Sequence, residues 1–237
     1  MTRLSVNVNK VALLRNSRGG NLPDVVAFAQ TCERLGADGI TVHPRPDGRH
    51  IRIPDLYALR DSISVELNVE GYPSSSFLEV VTYVRPAQVT LVPDPPHVLT
   101  SDRGWQVQQH KEFLHEIISL LREQGIRVSL FIDPDPSQVE AAAEIAADCV
   151  ELYTGPYAMH FLRNPQEAIQ PYLHAAQKAK ELGMRLHAGH DLNLHNLRYL
   201  KQHLPNLVEV SIGHALISDA LYWGIAETLR RYKEALS

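Results

Sequence analysis

The sequence predicts an α/β protein, a closed (β/α)8 TIM barrel with parallel strands, and three observations carry that expectation. Short runs rich in Val, Ile, Leu or Tyr alternate with longer segments of helical periodicity. Eight such strand–helix units fit into 237 residues, close to the roughly 250 common for this fold. No Gly-x-Gly-x-x-Gly follows the first strand, which argues against an open dinucleotide-binding sheet. Repeated strand–helix alternation implies parallel strands joined by right-handed crossovers. No linker or low-complexity tract interrupts the pattern, so residues 1–237 are read as a single barrel domain.

The expected strands are Leu4–Val8, Gly39–Val42, Val65–Val69, Gln88–Val92, Arg127–Ile132, Cys149–Tyr153, Arg185–Ala188 and Glu209–Ile212. The first long helix is expected over Asp24–Leu35, where Val25, Val26, Phe28, Ala29, Cys32 and Leu35 mark one apolar face. A shorter one follows at Pro54–Ile63. Ser76 with Glu79 has the spacing of a capping box before a third, and Gln106–Gln124 forms a longer fourth. Ser137 with Glu140 repeats the capping-box spacing before a helix to Ala147. Asn164 ahead of Pro165 is an N-cap with proline at the first helical position, opening a helix to Leu182. The last two are expected at Asn196–Leu204 and Ile217–Ala235.

Composition narrows the function classes. A chain of this length buries about 70–75% of its unfolded surface and needs no disulfide or structural metal to hold a core. Cys32 and Cys149 sit in apolar patterns and read as buried small hydrophobes, which fits a reducing, cytoplasmic setting. Met1–Val8 lacks the apolar run of a signal peptide, and no stretch approaches the roughly 18 apolar residues of a membrane span. A formal net charge of -4 argues against a broad nucleic-acid-binding face but leaves room for a local basic pocket.

In this fold the chemistry lies at the C-terminal ends of the strands, and nearly every such end here is polar. The first runs into Asn7, Asn9 and Lys10, with Arg15 and Arg18 beyond. The second ends in His43-Pro44-Arg45-Pro46, followed by His50, and the third carries Asn68 and Glu70. Pro93, Asp94 and Thr100 follow the fourth, within a Pro93–Gly104 stretch suited to a lid. The fifth ends at Asp133 and the sixth carries Glu151. The seventh leads into His187, His190 and Asp191, and the eighth into Gly213-His214.

Pro44 and Pro46 push His43 and Arg45 out of the α region, so both are extended and point to the same side. A proton carrier and a phosphate-binding guanidinium then share a pocket; the alternative is two solvated loop residues. Asn68 and Glu70, two apart on a strand, also share a face. Partial desolvation in a barrel mouth suits Glu70 as a general base, against a structural carboxylate paired to Arg or Lys. Glu151, flanked by Val150 and Leu152, needs a partner that is either structural or catalytic. Gly213-His214 leads into a helix N-terminus, the usual barrel phosphate site, or is a plain tight turn.

The 12 histidines invite a metal reading. The first strand lacks paired histidines, and His187 with His190 alone does not make a site, so no metal is expected. His97, His110, His115, His160, His174 and His203 read as surface residues.

Val6 to Gly19, Gly36 to Arg45, Asn68-Val69-Glu70, Val128 to Asp133, Ala188-Gly189-His190 and Ile212-Gly213-His214 resemble, in order and in register with the strands, the pyridoxine 5′-phosphate synthase (PdxJ) family. The resemblance implies condensation of 1-deoxy-D-xylulose 5-phosphate with 3-amino-2-oxopropyl phosphate to pyridoxine 5′-phosphate, phosphate and water, without a metal or redox cofactor. It implies His43 and Glu70 as proton acceptors, His190 as proton donor and Glu151 as a further carboxylate at the reaction centre. It assigns Asn7, Arg18, Gly213 and His214 to the aminoketone phosphate, and Arg45, His50 and Thr100 to the deoxyxylulose phosphate. It also implies a homo-octamer. Better-known members carry Asp-His where this chain has Asn9-Lys10, and Gly where it has Asp191. An aspartate beside a phosphate repels it unless it turns away or pairs, so Lys10 and Asp191 are expected to compensate each other. Two other readings start from the same residues. One is an isomerase or aldolase for sugar phosphates; an aldolase would want a Schiff-base lysine at a strand end, for which only Lys10 qualifies. A non-catalytic phosphate-metabolite binding barrel would not need four proton carriers.

Overall fold

Eight parallel strands close on themselves in chain order: β1 (Arg3–Asn7), β2 (Gly39–Val42), β3 (Glu66–Gly71), β4 (Gln88–Leu91), β5 (Arg127–Ile132), β6 (Cys149–Tyr153), β7 (Arg185–Gly189) and β8 (Leu207–Ile212). Closure is direct: β1 pairs with β2 through Val6 and Ile40, and with β8 through Leu4 and Val210. This computed structural model describes residues 1–94 and 101–237. The expected closed barrel is therefore what the chain forms. Three strands have the expected bounds, and the others differ by one or two residues at an end.

The helices are α1 (Asn9–Asn16), α2 (Val25–Arg34), α3 (Ile53–Ser62), α4 (Ser75–Val84), α5 (Lys111–Glu123), α6 (Pro136–Glu144), α7 (Gly155–Phe161), α8 (Pro165–Glu181), α9 (Leu197–His203), α10 (His214–Trp223) and α11 (Ile225–Leu236). A 3-10 turn, Val107–His110, leads into α5. Asn164 caps α8 as expected, accepting from the Glu167 N–H. Neither expected capping box caps its helix. Ser74 accepts from the Phe77 N–H and caps α4, leaving Ser76 inside the helix. Pro136 takes the first position of α6, so Asp135 is its cap. The long final helix is two helices, because Gly224 at φ 75° breaks it. α1 and α7 were not expected. α1 starts without a side-chain cap, and Gly155-Pro156 at the head of α7 reads as a turn.

The apolar core lies outside the barrel, between strands and helices. Leu4, Val6, Ile40, Val42, Val69, Val89, Leu130, Val150, Leu152, Ala188, Val210 and Ile212 are all buried there. The alternate residues of the same strands form a polar interior, where barrels of this class commonly stack Val, Ile and Leu. Ser5 and Thr41 hydroxyls lie 2.7 Å apart, Thr90 donates to Asn68 at 3.0 Å, and Gln88 donates to Asn68 at 3.2 Å. At the lower end Arg127 pairs with Glu66 at 2.6 Å, and Arg3 reaches Glu66 at 2.9 Å and Glu209 at 3.4 Å. Deep burial makes hydrogen bonding obligatory for these groups. Among the described residues, Ser129 Oγ and both His187 ring nitrogens have no such partner.

His187 has a consequence for stability. Burial, aided by the Arg185 charge, pushes its imidazole down to about 3 from an ordinary 6.5, and burial with His43 nearby pushes His50 down to about 4. Both rings are neutral in the folded chain, while in the unfolded chain they take up protons as pH falls below 6.5. Folding stability is therefore lost on acidification through the window between those values. Each ring contributes up to about 1.4 kcal/mol per pH unit. His187→Gln is expected to flatten the pH dependence of unfolding between about pH 6 and pH 4.5 by one ring's share. Denaturant titrations at several pH values check this. An unchanged slope would mean that His187 protonates inside the folded barrel.

Candidate active site

The C-terminal ends of the strands surround a cavity of about 350 Å³. Of the residues singled out from the sequence, Asn7, Asn9, Lys10, His43, Arg45, His50, Glu70, Glu151, His190, Asp191, Gly213 and His214 all line it. Arg15, Asn68, Asp94, Asp133 and His187, also named at the strand ends, do not line it, and neither of two residues assigned to phosphate joins them. Arg18 is exposed on the turn after α1 and does not line the cavity, and Thr100 lies outside the described residues. So do His97 and the middle of the lid stretch, residues 95–100. Among the other histidines, His110, His115, His160 and His174 are exposed, whereas His203 is partly buried with its ring stacked on Tyr199 at 4.0 Å.

A run of asparagines organises one wall. Asn7 ends β1, and its Oδ1 accepts from the Asn9 N–H at 3.0 Å while its Nδ2 donates to Glu70 Oε2 at 3.4 Å. Asn9 in turn accepts from the His43 N–H at 2.9 Å. His43 Nδ1 stands 3.6 Å from Glu70 Oε2. Among the described residues no Lys or Arg pairs with Glu70, so the structural ion pair weighed for it does not form. Alternation along β3 and the proline-held extension after β2 bring a carboxylate and an imidazole to one point.

His43 and Arg45 are 5% and 7% exposed, which excludes two solvated loop residues. Arg45 Nη2 donates to Asp94 Oδ2 at 2.8 Å, and Ser101 Oγ donates to the same oxygen at 2.6 Å. Arg45 Nε and His50 Nδ1 are buried without a partner among the described residues, which leaves donor capacity at this end of the cavity. A second cavity of about 450 Å³ shares His43 and Arg45 with the first and is otherwise bordered by Asp94, Tyr72, Phe77 and Val80 among others.

Glu151 rises from the interior face of β6 into the cavity floor and is 3% exposed. Burial pushes its carboxyl well above the usual carboxylate range; Glu70 and Glu209 add to this, and a Thr90 hydrogen bond opposes it. Glu151 therefore favours the protonated form, beside a Glu70 flanked by Asn7 and His43. Two acids in different surroundings are a common basis for dividing acid and base roles. Gly189 makes room for this arrangement, since a Cβ there would stand 2.1 Å from Glu151 Oε1. The Ala188-Gly189-His190 motif marked the position, but the reason for glycine appears only in the packing.

His190 and Asp191 both adopt left-handed backbone, at φ 88° and 58°. His190 Nδ1 lies 3.0 Å from Asp191 Oδ2, and that hydrogen bond is the main reason the Asp191 carboxyl is held below its ordinary range. Asp191 thus pairs with its neighbour. Lys10 makes no ion pair with it among the described residues and acts only through its charge, as does His214. Opposite them α10 begins at His214, three residues before the expected start, which brings its N-terminus to the cavity. Gly213 precedes it without a side-chain cap, packed so that a Cβ would meet Asn7 Cβ at 3.1 Å. Uncapped N–H groups and the helix dipole favour an anion there. Ser101, Ser211 and Phe131 also line the cavity and were not singled out, although Ser211 shares a face of β8 with Gly213 by simple alternation.

Cys32 and Cys149 are free and buried, and burial pushes both thiols up to about 12, so neither is a nucleophile near neutral pH. No helix among the described residues is long and apolar enough to cross a membrane.

Residues 4–237 match the family described as pyridoxal phosphate biosynthesis protein PdxJ. A protein of Phocaeicola vulgatus named pyridoxine 5′-phosphate synthase is 56% identical over 236 residues, covering 100% of this chain and 99% of the relative. One of the same name from Bacteroides thetaiotaomicron is 55% identical, covering 100% of both. Among solved structures, a tryptophan synthase from M. tuberculosis superposes with a TM-score of 0.67 at 12% identity, over 100% of this chain and 94% of that one. A phosphoribosylanthranilate isomerase from Thermotoga maritima does so with a TM-score of 0.60 at 16% identity, over 100% and 98%. Those two likenesses are of fold alone. The full-length family match and the identity to these relatives show that the chain belongs to the PdxJ family of pyridoxal phosphate biosynthesis proteins.

Proposed function

We propose that this chain is a pyridoxine 5′-phosphate synthase, which condenses 1-deoxy-D-xylulose 5-phosphate with 3-amino-2-oxopropyl phosphate in vitamin B6 biosynthesis. The observation that carries the reading is full-length membership of the PdxJ family, with relatives of that name at more than half identity. The cavity supports it. Schiff-base formation, phosphate loss and ring closure need several proton transfers and two anion sites, and no metal or redox cofactor.

His43 with Glu70 takes up protons, His190 delivers one, and Glu151, favouring its neutral form, is a proton source at the cavity floor. Each such group supplies roughly 10²–10⁴ in rate. The N-terminus of α10 with Gly213, His214 and Asn7 holds the aminoketone phosphate, and Lys10 adds a positive point charge. Arg18, exposed beyond the cavity, is assigned to that phosphate by family resemblance alone. Arg45 and His50, with Thr100, hold the deoxyxylulose phosphate, which suits their unpartnered Nε and Nδ1. Asn9 acts on substrate through the His43 backbone it holds.

The whole chain works as one catalytic domain in the cytoplasm, as a homo-octamer. Exposed Leu22, Leu162, Leu221 and Tyr222, at 80%, 83%, 75% and 85%, suit burial between copies. The test incubates chelator-treated protein with both substrates while phosphate release and the pyridine chromophore are followed. Activity with the pair and none with either substrate alone is expected. Turnover of one substrate by itself would point to an isomerase or aldolase instead.

A further inference from the structure

We propose that Asp191 is a positioning residue that holds the His190 imidazole by its Nδ1–H, so that the opposite nitrogen, Nε2, delivers the proton in the cavity. The inference deepens the synthase reading and rests on it for the reaction, though not for the pairing itself.

The pairing is built into the backbone. Consecutive non-glycine residues in left-handed conformation are sparsely populated and persist where the surroundings over-determine them. Several groups do so here. The Thr154 N–H donates to the Gly189 carbonyl at 2.9 Å, and the Thr154 hydroxyl bridges the Gly189 and His190 carbonyls. Asn193 and Asn196 side-chain amides both donate to the Asp191 carbonyl at 3.3 Å. The result is a turn that folds the Asp191 carboxylate back onto the ring one residue earlier, at 3.0 Å. The ring also meets Tyr153 edge-on, at 5.1 Å and 79°. An imidazole donating Nδ1–H to a carboxylate has its tautomer and direction set, which leaves Nε2 as the exchanging nitrogen. Lys10 from α1 and His214 at the head of α10 bias Asp191 toward its ionised form, so the acceptor is charged. Other ionisable groups around the pair are Tyr153, edge-on to the ring, and His43, Arg45, His50, Glu70 and Glu151 in the lining of the same cavity.

Asn and Gly both tolerate left-handed backbone, so Asp191→Asn and Asp191→Gly keep the turn while removing the charge or the whole side chain. In the condensation assay, kcat of either variant should fall about tenfold with both KM values within about twofold. The alkaline limb of the kcat–pH profile should move to lower pH by about one unit. Asp191→Glu should recover part of the loss. Diethyl pyrocarbonate, which acylates only the unprotonated imidazole, gives a reading independent of activity. Peptide mapping of His190 modification against pH should show its midpoint displaced downward in Asp191→Asn. An undisplaced midpoint would overturn the proposal whether or not the enzyme turns over, as would a rise in KM with kcat unchanged. A wild-type protein that does not condense the substrates would sink the synthase reading, leaving the modification profile to decide the pairing.

Discussion

Glu70→Gln is expected to bind both substrates with near-wild-type affinity and to lose turnover by about 10²–10⁴-fold. The amide has the size and shape of the carboxylate, so the cavity is unchanged, and its carbonyl oxygen still accepts from Asn7. What disappears is the capacity to take up a proton, together with the negative charge 3.6 Å from His43 Nδ1. Asn7 holds Glu70 beside His43, at the point where the extended segment after β2 meets the end of β3, so a loss there falls on the chemical step. Calorimetric titration of each substrate, set against chromophore formation under saturation, separates the two effects. Near-wild-type turnover would remove Glu70 as the base. Loss of binding without loss of kcat would make it a contact to substrate.

The second large effect is on stability. Arg15→Ala is expected to lower the unfolding free energy by about 3–5 kcal/mol, because it breaks a buried ion pair from one side. Arg15 is 1% exposed and grips Asp55 with both terminal guanidinium nitrogens, at 2.6 and 2.9 Å. It also donates to the His50 carbonyl at 3.2 Å. Asp55 additionally accepts from the Arg52 N–H at 2.7 Å, so the clamp joins α1 to the start of α3 and the loop that carries His50. Removing the arginine strands a carboxylate with one backbone donor. Replacing both partners, as in Arg15→Met with Asp55→Leu, should recover much of the loss, since no buried charge remains. Urea titrations of the three proteins check this, and a single-variant loss under about 1 kcal/mol would show that water reaches Asp55 freely.

Arg15 also shows where reading from sequence stops. It sits in the same polar run as Asn7, Asn9, Lys10 and Arg18, and nothing local distinguishes a structural guanidinium from a phosphate ligand. Asn7 and Asn9 brace Glu70 and the His43 backbone, and Arg18 does not line the cavity. Local rules worked where one short-range constraint dominates. Proline-held extension placed His43 and Arg45 together, and strand alternation placed Asn68 and Glu70. Asn164-Pro165 marked the true start of α8. They failed where two signals competed: Ser76 and Ser137 had capping spacing, but Ser74 and the Asp135-Pro136 pair were better placed.

By itself the sequence determined the strand count, the barrel, the polar strand ends and the kind of chemistry they bear, because these follow from periodicity and turn chemistry within a few residues. Tertiary structure alone decided that the barrel interior is polar and that Glu151 favours its protonated form. It alone decided that Gly189 must lack a side chain and that Asp191 turns back onto His190. Those outcomes depend on desolvation and on contacts between strands far apart in the chain, and both come into being only when β8 closes against β1.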